Sequence, residues 1–382
     1  MSLAPLFLIS SLLHLYVGWR VAPELPGPAW APALFSAALI ASALVMPLGL
    51  IARSVRRQPL SDRLAWAGSL AMGLFSSLFV LTLVRDALLL LWLPLVFLGP
   101  DALAALPLAR WSAAAVPLLG VLITLQGFVN ARRTAAVVSV DVPIAGLPDG
   151  LHGFTIAQIS DIHVGPTIKR AYLHRIVDAV NQLEVDMVAV TGDLVDGSVR
   201  ELADHVAPLA TLRSRHGSFF VTGNHEYYSG APAWVVELRR LGLRVLMNEH
   251  VVLEHDGAAL VIGGVTDFGA HQFDPAERSD PQAALAGAPL HAATRVLLAH
   301  QPRSADAAER AGFQLQLSGH THGGQFLPWN LLVPLQQPFT AGLHRWRSLW
   351  VYTSRGTGYW GPPKRFGAPS EITRLRLVPQ RG

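Results

Sequence analysis

Four long apolar runs within the first 130 residues most constrain how this chain can fold. They are nearly free of charged side chains, and each is long enough to cross a bilayer as a helix, which takes about 20 apolar residues. A helix satisfies its own backbone hydrogen bonds, which lipid cannot do. We therefore predict a transmembrane region over residues 1–130 with four helices, at about residues 3–20, 30–52, 64–98 and 108–130.

The third run is ambiguous because Arg85 and Asp86 interrupt it. It forms either one long tilted helix with an internal ion pair or two shorter passes. Residues 87–98 are short for a span, and this favours one helix. The first run is apolar like a signal peptide, which is the competing interpretation. It lacks a basic start and a small-residue cleavage site, and further spans follow it, so a transmembrane helix is favoured.

Basic residues in the short loops predict the orientation of the helices. Two arginines, Arg132 and Arg133, follow the last run, and two of the other loops are poor in basic residues. The loop between the second and third runs carries Arg53, Arg56, Arg57 and Arg63. The positive-inside rule places this loop and everything after residue 130 in the cytoplasm. Five passes would place the second half on the opposite side.

The overall charge gives little support to nucleic-acid binding. The sequence pI is about 9.7, but the first 130 residues hold 7 of the 30 basic and 4 of the 26 acidic residues, which leaves 23 and 22 for the rest. The second part of the chain is thus nearly neutral, and no nucleic acid is expected. The chain has no cysteine, which is neutral evidence about its compartment.

After a linker and first strand over residues 131–150, short apolar strands alternate with amphipathic helices. The patterns that predict helices are LHRIVDAVNQL, ELADHVAPLATLRS and AWVVELRRLG. Those that predict strands are AAVVSVDV, FTIAQIS, DMVAV, GSFFVTG, RVLM, AALVIGG, RVLLA, FQLQLSG, LWVYTS and EITRLRLV. We predict an α/β domain over residues 151–382 in which sheets pack face to face with helices outside.

Polar residues collect where five of these strands end. They are Asp161 and His163, Asp193, Asn224 and His225, His300, and His320 and His322. In α/β sheets, binding groups gather at the carboxyl ends of strands. Carboxylate, imidazole and amide oxygen without thiolate suit Mn, Fe, Zn or a similar divalent ion. The sequence therefore predicts a metal site.

These five blocks, DIH, GD, GNHE, AH and GHTH, resemble in their order the calcineurin-like metallophosphoesterase superfamily. The resemblance covers about residues 150–375. It implies a four-layer α/β/β/α sandwich with two divalent metal ions, of which Mn, Fe, Zn and Ni all suit the ligands. By the same resemblance, Asp193 bridges the two ions, and His225 stabilises charge or protonates the leaving oxygen. One metal would be bound by Asp161, His163 and His322, and the other by Asn224, His300 and His320.

The resemblance extends to a branch of bacterial membrane-associated phosphodiesterases, through GHTHGGQ and RFGAPSEIT near the end of the chain. Some relatives in that branch cleave the pyrophosphate of UDP-diacylglucosamine. It implies an integral protein of the bacterial inner membrane that hydrolyses a phosphodiester or pyrophosphate, with a lipid-linked substrate as one option. Many relatives have a single membrane anchor or a signal segment, so the four predicted passes depart from the pattern.

Two further segments bear on the substrate. The apolar loop that contains Trp329, Leu331 and Leu335 either packs on its own domain or contacts the bilayer and a lipid-linked substrate. Near the C-terminus, a solvated basic loop and a phosphate-binding loop are both compatible with the sequence. Arg355 is the first candidate for substrate binding there, ahead of Lys364 and Arg365, because it directly follows a predicted strand.

Two alternative functions compete with this interpretation. One is a phosphomonoesterase that acts on soluble or protein substrates, in which the apolar loop only packs. The other is a membrane regulatory protein with an inert metal domain, which the presence of all eight motif side chains argues against. The sequence does not fix the oligomeric state.

Overall fold

The computed structural model describes residues 3–55, 57–98, 106–289 and 294–380. Arg56, which contributes to the predicted loop charge, lies outside them. The chain divides into two compact units. The first comprises residues 1–132 with Gly361–Phe366, and the second comprises residues 133–360 with 367–382.

The first unit contains the four predicted apolar helices. They are α1 (Ala4–Val21), α2 (Trp30–Ile51), α3 (Leu60–Leu98) and α4 (Leu108–Arg132). All four are long and apolar enough to cross a membrane. Val17, Leu39, Phe75 and Val116 are among the residues that form the core between them. Gly49 and Gly68 let α2 and α3 approach closely, since a Cβ on Gly49 would lie 2.9 Å from Gly68 Cα.

Arg85 and Asp86 lie inside the single helix α3, which resolves the ambiguity of the third apolar run. Asp86 accepts hydrogen bonds from Tyr16 Oη at 2.7 Å and from Arg20 Nε at 2.8 Å, both in α1. Arg85 contacts Asp86 at 3.4 Å and donates to the Ala109 carbonyl at the start of α4. The ion pairing thus joins helices, as buried charges in such bundles generally require.

The segment Gly361–Phe366 belongs to the helical unit although it is distant in sequence. Lys364 Nζ donates to the Gly73 carbonyl at 2.7 Å and to Ser77 Oγ at 2.6 Å, both in α3. The Arg365 amide donates to the Gly127 carbonyl of α4 at 2.9 Å. A Cβ on Gly127 would lie 2.7 Å from Lys364 Cγ, so glycine is needed for this approach.

The second unit contains two sheets of six strands each. The first sheet has the order β1-β12-β2-β3-β4-β5 and is parallel except between β12 and β2. Its strands are β1 (Ala136–Ile144), β2 (Thr155–Ile159), β3 (Met187–Val190), β4 (Ser218–Phe220), β5 (Arg244–Val245) and β12 (Glu371–Pro379).

The second sheet has the order β10-β11-β9-β8-β7-β6, with antiparallel pairs only at its two edges. Its strands are β6 (Glu249–His255), β7 (Ala258–Gly264), β8 (Thr294–Leu298), β9 (Leu315–Ser318), β10 (Gly342–Trp346) and β11 (Leu349–Thr353). Parallel central strands in both sheets bring many carboxyl ends to one edge of the unit.

The main core lies between the two sheets. Ile156 and Met187 of the first sheet pack in one buried cluster with Ile262, Leu298 and Leu317 of the second. Alternate residues such as Leu297 point outward, where they pack with a helix that contains Ala308. The helices of this unit are α5 (Arg170–Asn181), α6 (Val199–Val206), α7 (Asn224–Ser229), α8 (Ala231–Arg240), α9 (Pro281–Ala284), α10 (Ala305–Ala311) and α11 (Trp329–Leu332).

The predicted fold class, an α/β/β/α sandwich that follows an apolar helical region, is confirmed. Two edge strands, β6 and β10, were missing from the sequence prediction. The burial of β6 is irregular, with only Leu253 and His255 buried, and no residue of β10 is fully buried. Edge strands lack one neighbour, so their sequences carry a weaker apolar alternation.

Candidate metal centre

The eight motif residues lie in the loops that follow five strands. Asp161 and His163 follow β2, Asp193 follows β3, and the Asn224–His225 pair begins α7 after β4. The second sheet supplies the rest, because His300 follows β8 while His320 and His322 follow β9. Backbone hydrogen bonds join neighbouring loops, for example from the Asp161 amide to the Gly192 carbonyl at 3.0 Å. The site thus forms where the carboxyl ends of both sheets meet.

One group of side chains consists of Asp161, His163 and His322. One nitrogen or oxygen of each lies within 4.8 Å of those of the others. The Nε2 atoms of His163 and His322 are 3.0 Å apart, and His322 Nε2 is 3.6 Å from Asp161 Oδ1. Two imidazoles that face each other so closely at a carboxylate form an arrangement that a cation would stabilise.

A second group consists of Asp193, His300 and His320, within the same 4.8 Å limit. His300 Nε2 is 3.2 Å from Asp193 Oδ2, and His320 Nδ1 is 3.3 Å from His300 Nε2. Asp193 Oδ2 is also 3.9 Å from His163 Nε2, so this carboxylate stands between the two groups. Among the side-chain atoms that the structure describes, Asn224 Oδ1 is buried and has no hydrogen-bond partner.

The backbone around these residues is held in uncommon conformations. Five of them have φ between 50 and 69°, in the left-handed region that side chains other than glycine rarely adopt. They are Asp161, His163, Asp193, His320 and His322. Glycines make the approach possible, since a Cβ on Gly319 would lie 2.1 Å from Asp161 Oδ2, and one on Gly223 would lie 2.3 Å from Asp193 Oδ1. Strain of this kind gathers at functional sites.

The donor set fits divalent metal ions. Burial raises the pKa of Asp193, but the nearby His300 and His225 outweigh this effect and hold its pKa well below the usual range. Burial, with His300 as a further cause, lowers the pKa of His320 to about 3. An anionic carboxylate and a neutral imidazole are the forms that ligate metals. Burial raises the pKa of Asp161. Burial lowers the pKa of His300, but the Asp193 carboxylate outweighs this effect and raises it, so these two side chains would release a proton on binding a metal. The unpartnered Asn224 oxygen would suit such an ion as well.

Comparison with known proteins identifies the family. Residues 154–324 match the calcineurin-like phosphoesterase family. An uncharacterized metallophosphoesterase of Campylobacter jejuni is 33% identical over 377 residues, which cover 97% of this chain and 96% of that protein. This chain belongs to the calcineurin-like metallophosphoesterase family.

Vertebrate proteins named transmembrane protein with metallophosphoesterase domain are also similar to this metallophosphoesterase. The one from Danio rerio is 39% identical over 263 residues, which are 67% of this chain and 60% of the relative. The one from Bos taurus is 41% identical over 277 residues, which are 68% and 62%. The chain therefore spans about three fifths of these two relatives. Together with the four apolar helices, they support a membrane protein, and the family and the His/Asp groups support a phosphoester hydrolase.

His225 lies beside the two groups and is oriented by Asp196, which the sequence alone does not distinguish from an ordinary turn residue. Its Nδ1 donates to Asp196 Oδ1 at 2.5 Å, and its Nε2 is 4.0 Å from Asp193 Oδ2. Asp196 Oδ2 is also 3.3 Å from His163 Nδ1. Asp196 is 9% exposed, so it is a buried partner of two imidazoles. The one feature of the sequence that points to a role for Asp196 in this site is its position three residues after Asp193 in the same loop.

Glu226, the residue after His225, is fully buried. It makes no hydrogen bond to the imidazole of His225 and binds backbone groups instead. Its two oxygens accept four backbone N–H groups, from Asp193 at 3.0 Å, Leu194 at 2.8 Å, Val195 at 3.3 Å and Gly223 at 2.6 Å. The carboxylate thereby joins the loop that carries Asp193 to the turn that carries Asn224.

The three basic candidates near the C-terminus belong to different units of the chain. The Arg355 guanidinium is bound to Glu371, with Nε and Nη2 each 2.6 Å from Oε2, and its side chain is about one third exposed. Lys364 and Arg365 are buried in the helical unit. The interpretation of this segment as a solvated basic loop therefore does not hold for Lys364 and Arg365.

Proposed function

We propose that this membrane metallophosphoesterase hydrolyses a phosphodiester or pyrophosphate bond with two divalent metal ions. The observation that carries the proposal is the pair of ligand groups that meet at Asp193, with the Asp196–His225 pair beside them. One ion would be bound by Asp161, His163 and His322, and the other by Asn224, His300 and His320, with Asp193 between them. When bound, two such ions activate water and stabilise the charge that develops on the phosphoryl oxygens.

The residues of the chain supply the proton and its position. Asp196 accepts a hydrogen bond from Nδ1 of His225, so Nε2 is the nitrogen that can donate a proton to the substrate. As water oxygen bonds to phosphorus, the bond from phosphorus to the leaving oxygen breaks, and that oxygen takes the proton from His225 Nε2. The proton that the attacking water loses passes to solvent, and solvent returns a proton to Nε2 for the next turnover. The buried Asp196 carboxylate stabilises the protonated imidazole before the transfer.

A lipid-linked substrate, such as UDP-diacylglucosamine, is the finer part of the proposal. It is supported by the apolar loop after His322, where Leu331 is 65% and Leu335 is 80% exposed. Most of the apolar surface of these two leucines is therefore uncovered. Exposed leucine and tryptophan on a short helix are typical of membrane contact. We retain Arg355 as a candidate contact for the substrate phosphate.

The test uses the purified full-length protein in detergent with Mn²⁺. A synthetic phosphodiester, a phosphomonoester and UDP-diacylglucosamine are compared, with Asp193→Asn and His225→Ala as inactive variants. His174→Ala, at an exposed histidine that pairs with Asp178, is the matched control. Turnover of the diester or the nucleotide lipid supports the proposal. Turnover of the monoester alone favours the phosphomonoesterase, and metal binding without any turnover favours the regulatory protein.

We also propose that the catalytic unit lies in the cytoplasm, at the inner membrane of a bacterium. The proposal rests on the arginines in the loop before α3 and after α4 and on the four helices. A reporter fused after Gly382 should give its signal on the cytoplasmic side. A signal found only outside the cytoplasm would refute this orientation.

A further inference from the structure

Two half-exposed aromatic rings lie beside the imidazole of His225, and a third packs against one of them. The ring of Tyr228 is 5.3 Å and that of Trp360 is 5.8 Å from the His225 ring, centre to centre, both in edge contact. Phe273 lies 5.6 Å from Tyr228. Tyr228 is 60%, Phe273 51% and Trp360 47% exposed. Single exposed aromatic residues are common, but a contiguous group at a reactive histidine marks a binding surface.

The rings are held by the same segments that carry the metal ligands. Tyr228 lies on α7, which begins at Asn224. Phe273 also packs against Tyr227, whose hydroxyl donates to Glu277 Oε2 at 2.6 Å.

The position of Trp360 is fixed through its backbone. The side-chain amide of Gln325 donates to the Trp360 carbonyl and accepts from the Trp360 amide, each at 2.9 Å. Gln325 is itself buried and follows the GHTHGG segment directly. Both the amide and the carbonyl of Trp360 are thus hydrogen-bonded to the loop that carries His320 and His322, so the backbone of Trp360 is positioned by that loop.

We infer that Tyr228, Phe273 and Trp360 form a subsite for a bulky apolar group on the leaving alcohol of the substrate. The inference rests on the proposed function, because the leaving oxygen must come within hydrogen-bond reach of His225 Nε2 to take its proton. The carbon attached to that oxygen then lies a bond length further on, among the aromatic edges. An apolar substituent on the alcohol would cover the solvent-exposed faces of these rings and remove apolar surface from water. A small polar alcohol would leave the rings exposed.

The experiment compares esters that differ only in the leaving alcohol. Ethyl, 2-phenylethyl and octyl esters are prepared in the phosphate class that the full-length protein hydrolyses, and kcat/KM is measured for each. We expect the wild type to prefer the two large alcohols to ethanol by about tenfold or more, the factor that partial burial of one such group gives. A preference for phenylethyl over octyl assigns the subsite to rings, and the reverse preference assigns it to acyl or alkyl chains.

The variants Tyr228→Ala, Phe273→Ala and Trp360→Ala should each lower this ratio towards one. Val236→Ala, at an exposed apolar position on α8, should leave it unchanged. Calorimetric binding of 2-phenylethylphosphonate and ethylphosphonate gives a second readout without turnover, and the same variants should remove the difference in affinity. Equal ratios and equal affinities in wild type and variants would overturn the subsite while hydrolysis itself continues. Absence of hydrolysis with every ester would instead count against the proposed function.

Discussion

Replacing Glu226 by glutamine tests whether its carboxylate organises the metal centre. The substitution keeps the size of the side chain but exchanges one acceptor oxygen for an amide nitrogen that donates. Oε2 accepts from the amides of Asp193 and Gly223, and Oε1 accepts from those of Leu194 and Val195. Whichever way the amide is placed, two buried N–H groups lose their acceptor and face another donor.

The expected cost follows from those two donors. Each buried N–H left without a partner costs about 1–3 kcal/mol, so the substitution should destabilise the folded unit by roughly 2–6 kcal/mol. The loops that carry Asp193 and Asn224 would also move relative to each other. Loss of such a supporting contact typically weakens metal binding by about 10–100-fold.

Two measurements check this expectation on the full-length protein. Thermal unfolding followed by tryptophan fluorescence should show a lower midpoint for Glu226→Gln. Competition with a chromophoric chelator should show weaker binding of Mn²⁺. Glu254→Gln, at an exposed glutamate on the edge strand β6, is the matched control and should change neither quantity. If the two variants give the same midpoint and the same affinity, the role assigned to Glu226 is refuted.

Three further predictions concern the ligands, their support and the apolar loop. Chelation with EDTA should abolish hydrolysis and lower the unfolding midpoint. An added divalent ion at about 100 times its Kd should restore about 2.7 kcal/mol of stability. An unchanged midpoint would argue against a metal in the folded centre. Asp196→Asn should lower kcat by about 10–100-fold with a smaller change in KM, and its effect should not add to that of His225→Ala if the two residues act as a pair. Serine at Trp329, Leu331 and Leu335 should slow hydrolysis of a lipid substrate and spare a small diester, and equal losses on both would exclude the lipid contact.

Much of this architecture is visible in the sequence because it follows from periodic patterns. Apolar runs of about 20 residues predict the four helices, and short β-rich runs predict most of the strands. The proximity of these His and Asp side chains was predictable since Asp161, Asp193 and His300 follow buried strands whose carboxyl ends must meet. Each of these features depends on a local pattern or on a simple rule of sheet topology.

What the sequence did not reveal depends on contacts between distant segments. Asp196 looks like an ordinary turn residue until the fold brings the loop after β3 against His225. Glu226 binds amides up to 33 residues away, and backbone amides leave no mark in a sequence. The aromatic group is similar, because Tyr228, Phe273 and Trp360 come from three separate segments and share no spacing.

The insertion of Gly361–Phe366 among the helices limits what a fragment without the apolar helices can report about this protein. A fragment that begins at Arg133 would retain Lys364 and Arg365 but lose their partners on α3 and α4. The Lys364 ammonium would then be hydrated, and the hexapeptide would be free to adopt other conformations. Trp360 immediately precedes this hexapeptide in the chain. In such a fragment the segment next to Trp360 would no longer be held in place, so substrate preferences measured on it would not represent the intact aromatic group. Assays of specificity therefore belong in detergent or lipid, on the whole chain.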